Sequence, residues 1–165
     1  MFNELCVRII QSEGGEILKR VLKYFMIVGV MLLVLTGCTT NKSFTFNVET
    51  GDKVKVQLNT TDGYDLSSDL PFTISKDDNK LSQGTFIKGT YYAEYVDVAK
   101  NDPLAEIIDE GSTNEIDYVF YSYNDSEYNY IIKINESNTA ILLTNQNSQE
   151  EAEKCFELLT FTLEN

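Results

Sequence analysis

From residue 44 onward, apolar side chains recur at every second position in short runs separated by turn-forming residues. A period of two commits most of the chain to strands. Phe44, Phe46 and Val48 alternate with Thr45 and Asn47, and Val54, Val56 and Leu58 alternate with Lys53, Lys55 and Gln57. Glu49-Thr50-Gly51-Asp52 lies between the two runs, so a hairpin with one buried face is predicted. Residues 59–69, rich in Thr, Asp, Gly and Ser, read as a loop. Pro71 opens a short strand over 72–74, Asp77-Asp78-Asn79 turns, and 84–87 resumes apolar character. From Leu104 a four-strand meander is expected at 104–109, 116–123, 127–134 and 139–144. Its turns fall at 110–114, 124–126 and 135–138. Tyr128, Tyr130, Ile132 and Ile134 share one face of the third strand.

Two segments switch to helical spacing. Over 90–100, Tyr91, Tyr95 and Val98 recur at three- and four-residue steps, with Tyr92, Val96 and Ala99 beside them and Thr90 as N-cap. Asn101-Asp102-Pro103 ends that helix. Ser148-Gln149-Glu150-Glu151 reads as a capping box. The helix after it buries Ala152, Cys155, Phe156 and Leu159. Residues 161–163 return as a last strand.

The front of the chain has a different character. Residues 24–35, YFMIVGVMLLVL, carry no charge and follow Lys19, Arg20 and Lys23. A basic segment, an apolar segment and then small residues form the secretory signal pattern. Twelve residues are too few to span a bilayer, which needs about 20. Leu35-Thr36-Gly37-Cys38 resembles a bacterial lipobox, in which the cysteine thiol takes a diacylglyceryl group and becomes the first residue after cleavage. Two acyl chains, such as palmitate, suffice for stable anchoring. Residues 1–17 carry Glu4, Glu13 and Glu16, unusual for the start of a signal. Glu13-Gly14-Gly15-Glu16 is encodable by a purine-rich, ribosome-binding-site-like string. Translation is therefore expected to begin at Leu18, with 1–17 a mis-called leader. The expected organisation is 18–37 signal peptide, 38–43 lipidated tether and 44–165 a single domain.

Four of the 13 basic and three of the 26 acidic residues fall in the first 37, which leaves nine basic against 23 acidic side chains. That excess of acid argues against nucleic acid, whose phosphates need Lys and Arg. It argues equally against adsorption to anionic lipid, so the lipid itself must anchor the chain. Cys155 is the one cysteine after Cys38, so no disulfide is expected within the domain. Its place on the apolar side of a helix reads as structural.

The chain contains no histidine and no tryptophan. Nucleophile–histidine pairs and histidine-bound zinc are thereby excluded. No Gly-rich phosphate loop is present. Acidic clusters occur at Asp62, Asp65 and Asp69, at Asp77 and Asp78, and at Asp109 and Glu110. None has EF-hand spacing, and they read as solvated loop charge rather than calcium ligands. No metal or cofactor is expected. The aromatic hairpin is the candidate binding surface. Tyr118, Tyr121 and Tyr123 crowd one strand and carry aromatics on both of its faces, one of them open to a partner, a sugar or a helix of the same domain.

Three stretches carry a resemblance: FTFNVETGDKVKVQL, SQGTFIKGTYYAEYVDVAK and TAILLTNQNSQEEAEKCFELLTFTLE. Together they cover most of residues 44–164, and the chain resembles small lipoproteins of Gram-positive, clostridia-like bacteria with a PsbP-like domain. That resemblance implies an α+β fold, an antiparallel sheet flanked by helices. It also implies an accessory or partner-binding role without catalysis. The expected function is a membrane-anchored extracytoplasmic binding or accessory protein on the outer face of the cell membrane. Its expected partners are an envelope protein or a small ligand. The alternative is a carboxylate-based hydrolase of cell-envelope material, which would need two facing carboxylates in a pocket.

Overall fold

The computed structural model describes residues 40–164. Residues 1–17, the signal segment, Leu35, Thr36, Gly37 and Cys38 lie outside the described residues. In chain order the elements are β1 (Asn41–Asn47), β2 (Lys53–Asn59), a 3-10 turn (Thr61–Gly63), β3 (Tyr64–Leu66), β4 (Phe72–Lys76) and β5 (Asn79–Lys88). A second 3-10 turn (Gly89–Tyr91) leads into α1 (Tyr92–Asn101), then β6 (Ala105–Ser112), β7 (Ile116–Tyr123), β8 (Glu127–Ile134) and β9 (Thr139–Asn145). The helix α2 (Gln149–Glu157) and β10 (Leu159–Leu163) end the chain.

These elements make an α+β domain of two antiparallel sheets. Three strands run in the order β1-β2-β10, and seven run β3-β4-β5-β9-β8-β7-β6. The period of two decides which side chains face inward. In β2, Val54, Val56 and Leu58 are fully buried while Lys53, Lys55 and Gln57 are not. Phe46 of β1 reaches across to the other sheet, its ring 5.9 Å from Phe72 and 5.4 Å from Phe86. The small sheet and α2 thus cover one face of the large sheet, called here the inner face. Tyr130 lies in that interface, stacked at 4.1 Å on Phe120 and at 4.1 Å on Phe156 of α2. The helix α1 packs against β6 and β8 on the opposite, outer face. The tight turns follow backbone chemistry. Asp77 and Asp78 both take positive φ, 49° and 63°, and form a two-residue hairpin loop between β4 and β5.

Several expectations change. The expected tether over 38–43 is strand from Asn41 onward. Its residues pair with the far end of β2, Asn41 opposite Asn59 and Lys42 opposite Leu58. The expected loop over 59–69 contains β3, whose Tyr64 and Leu66 are buried against the core. A three-residue strand is too short to display a readable alternation. The turn expected at 110–114 begins later, because β6 runs on to Ser112 beyond a bulge near Ile107. Thr90 does not cap α1. Tyr91 holds that position, without a side-chain bond. Tyr91, Tyr95 and Val98 face solvent, and Ala99 is the buried residue of the helix. The Ser148 Oγ accepts the Glu151 backbone N–H at 3.2 Å, which is half of the capping box. The reciprocal half is replaced, since the Ser148 N–H donates to Asn145 Oδ1. Leu159 opens β10 rather than closing the helix.

Candidate functional site: the outer face of the large sheet

Residues two apart on a strand share a face, and residues three apart do not. Tyr121 and Tyr123 therefore lie together on the outer face, and Tyr118 lies on the inner one. The structure does not bring the three tyrosines into one surface. Tyr118 serves packing. Its ring centroid is 4.9 Å from Phe156, and it lies across Gly111, where a Cβ would come within 2.5 Å of the ring. Its hydroxyl donates to Asp109 Oδ2 at 2.8 Å. That bond, with burial second, holds the phenol above the usual tyrosine range.

Tyr121 begins a cross-strand row on the outer face. It is opposite Asn129, Asn129 is opposite Thr144, and Thr144 is opposite Gln83. Burial first, then the nearby carboxylates of Glu127 and Asp102, push the Tyr121 phenol upward, so it stays protonated. Hydrogen bonds stiffen the row. Thr144 Oγ donates to Asn129 Oδ1 at 2.8 Å, and Asn129 Nδ2 donates to Glu127 Oε1 at 2.9 Å. Gln146 Nε2 then donates to the other Glu127 oxygen at 3.3 Å. Lys80 Nζ donates to Gln83 Oε1.

Beside this row, α1 leaves a groove of about 540 Å³ above β5 and β9. Gln83, Thr85, Leu142 and Thr144 line the strand side, and Tyr95 of α1 closes another side. No Asp or Glu lines the groove, and its one charged side chain is Lys80. Elsewhere on α1 and just before β6, further apolar side chains are exposed. Tyr95 is 40% exposed, Val98 59% and Leu104 53%. The Leu104 carbonyl accepts the Asn124 N–H at 2.8 Å, which places it beside the Tyr123 turn.

Other concavities differ in character. One of about 290 Å³ lies between the β1–β2 turn and Leu70-Pro71. Another, of about 580 Å³, lies along the acidic surface of α2, where Glu150 and Glu157 are exposed. Part of the acidic loop charge is paired. Asp65 accepts from Lys42 at 2.7 Å, which holds its carboxyl below the usual range, and Glu110 pairs with Lys100 at 2.8 Å. Among the described residues no group of three His, Cys, Asp or Glu side chains is placed to hold a metal ion. Among the same residues no helix is long and apolar enough to cross a membrane.

From the sequence, Tyr95 reads only as part of a helix face, and Gln83 and Thr144 are not named as binding residues. Their meeting depends on β5 pairing with β9, more than fifty positions away, which no local pattern announces. Compared with known protein families, with curated proteins and with solved structures, the chain matches none.

Proposed function

We propose that this protein is a lipid-anchored, extracytoplasmic binding or accessory protein, held in the cell membrane through Cys38, whose working surface is the outer face of its large sheet. The observation that carries the binding reading is the open groove beside Tyr95. The inner face of the sheet is committed to the core, whereas the outer face combines exposed aromatic surface with an ordered polar floor. Concave sites that set polar groups beside aromatic and aliphatic surface are where ligands and partners bind. The groove presents amides, hydroxyls and one lysine but no facing carboxylates, which favours binding over acid–base hydrolysis. The long antiparallel sheet with helices on both faces supports a PsbP-like domain as the finer reading of the fold.

The anchoring half rests on the signal pattern and on how closely Cys38 precedes the strands of the domain. The Thr40 carbonyl accepts from the Thr60 N–H and hydroxyl, both at 2.8 Å. An acylated Cys38, two positions earlier, would hold the domain directly against the headgroups. Labelling cells with a palmitate analogue and fractionating them tests this. The wild-type chain is expected to be labelled and membrane-bound, and Cys38→Ser to be neither. A wild-type chain that is unlabelled and released from the membrane would contradict the anchor.

A further inference from the structure

We propose that the groove between Tyr95 and the outer face of β5 and β9 binds a neutral glycan chain, with one sugar face against the Tyr95 ring and the sugar hydroxyls on the side chains of β5 and β9. This rests on the binding reading above and names the class of ligand.

Charge is the first argument. The chain has 26 acidic residues, yet none lines this groove. Glu127 approaches it only through the bond to Gln146. A basic peptide would meet Lys80, the one charged side chain of the lining, and an anionic polymer would be repelled by the field of the whole protein. A neutral ligand meets neither obstacle.

Hydrogen-bonding chemistry is the second. Gln83, Gln146 and Asn147 offer amides that both donate and accept, and Thr85 and Thr144 offer hydroxyls that do the same. Sugar hydroxyls need partners of that kind. An extended peptide would instead pair backbone to backbone with an open strand edge. β5 and β9 have no open edge, since β5 lies between β4 and β9, and β9 between β5 and β8.

Shape and order are the third. The groove pairs the exposed Tyr95 ring with the half-buried Ile87 and Leu142, which suit the C–H faces of sugar rings. The bonds from Thr144 through Asn129 and Glu127 to Gln146 fix the polar groups before any ligand arrives, so less side-chain freedom is lost on binding. The volume, about 540 Å³, falls inside the usual range for ligand clefts.

The test is saturation-transfer NMR on the full-length protein in detergent, with chitotetraose and cellotetraose as probes. At least one tetrasaccharide is expected to receive saturation. Tyr95→Ala should weaken its binding about tenfold and Gln83→Ala several-fold, while Thr45→Ala on the far sheet changes nothing. Both altered side chains are at least partly exposed, so the fold is expected to survive their removal. The proposal is overturned if neither sugar is saturated, or if binding is indifferent to both groove variants. A photo-crosslinker at position 95 separates the two levels of the account. If it captures a protein in cells and no sugar binds, the glycan falls and the binding reading stands. If it captures nothing and no sugar binds, both fall.

Discussion

Asn145 Nδ2 donates to Ser82 Oγ at 3.0 Å, and both side chains are almost fully buried. The other end of the same amide accepts the backbone N–H of Asn147 at 2.8 Å and of Ser148 at 3.3 Å. One side chain therefore ties β9 to β5, which together line the groove, and sets the entry into α2. Removing it strands the buried Ser82 hydroxyl and two part-buried backbone N–H groups. Asn145→Ala is expected to cost about 1–3 kcal/mol, and Ser82→Ala, which leaves the amide its two backbone bonds, about 1 kcal/mol. Urea unfolding of the two variants checks the order; equal or negligible losses would show that the amide does not organise this junction.

Gly84 stands opposite Phe72 in the β4–β5 pair, and a Cβ on it would fall 2.0 Å from the Phe72 ring. Phe72 is fully buried and contacts Phe46 and Phe86, so its ring has no space to withdraw into. Gly84→Ala should destabilise by about 1–3 kcal/mol through overpacking. Adding Phe72→Leu should recover part of that loss, a coupling that a double-mutant cycle measures. Strict additivity of the two changes would rule out the steric account.

Alkaline pH should unfold the protein early. Burial, with Glu153 nearby, pushes the Tyr130 phenol well above its ordinary value, and Tyr121, Tyr118 and the Cys155 thiol are raised as well. In the unfolded chain a thiol ionises near about pH 8.5 and a phenol near about pH 10. Above those values the unfolded chain holds fewer protons than the native one, so stability falls as pH rises. Denaturant midpoints should be level toward neutral pH and decline above about pH 9. Tyr130→Phe should flatten part of that decline. A midpoint constant to about pH 11 would refute the linkage.

The cap at Ser148 is a smaller test of local structure. Its hydroxyl satisfies the Glu151 N–H, one of the orphan donors of α2. Ser148→Ala should cost about 1 kcal/mol, and Ser148→Asp should keep most of the stability. Thermal melts of the two variants distinguish a cap from a surface residue, for which both changes would be silent.

Much of this fold was legible because strand and turn chemistry agree locally. The strands at 116–123 and 127–134 match residue for residue, since alternating apolar positions are bounded there by Asn124-Asp125-Ser126. The capped start of α2 was readable for the same reason. The division into two sheets was not, because Phe46 could pack against any apolar partner until the order of strands was known. Helix α1 misled through its composition. Two apolar stripes lie on it, and the richer one, with Tyr91, Tyr95 and Val98, faces solvent. The binding surface was half legible. Parity alone puts Tyr121 with Tyr123 and sets Tyr118 apart, whereas the contributions of Gln83 and Thr144 follow from long-range pairing.

The proposed working surface is the outer face beside Tyr95, where this protein would meet its ligand or partner. Photo-crosslinking in intact cells addresses it directly, with the reactive group at position 95 in one strain and at position 45, exposed on β1, in another. The account predicts a reproducible adduct from position 95 and none from position 45. Adducts from position 45 alone, or equal yields from both, would move the working surface off the large sheet and contradict it.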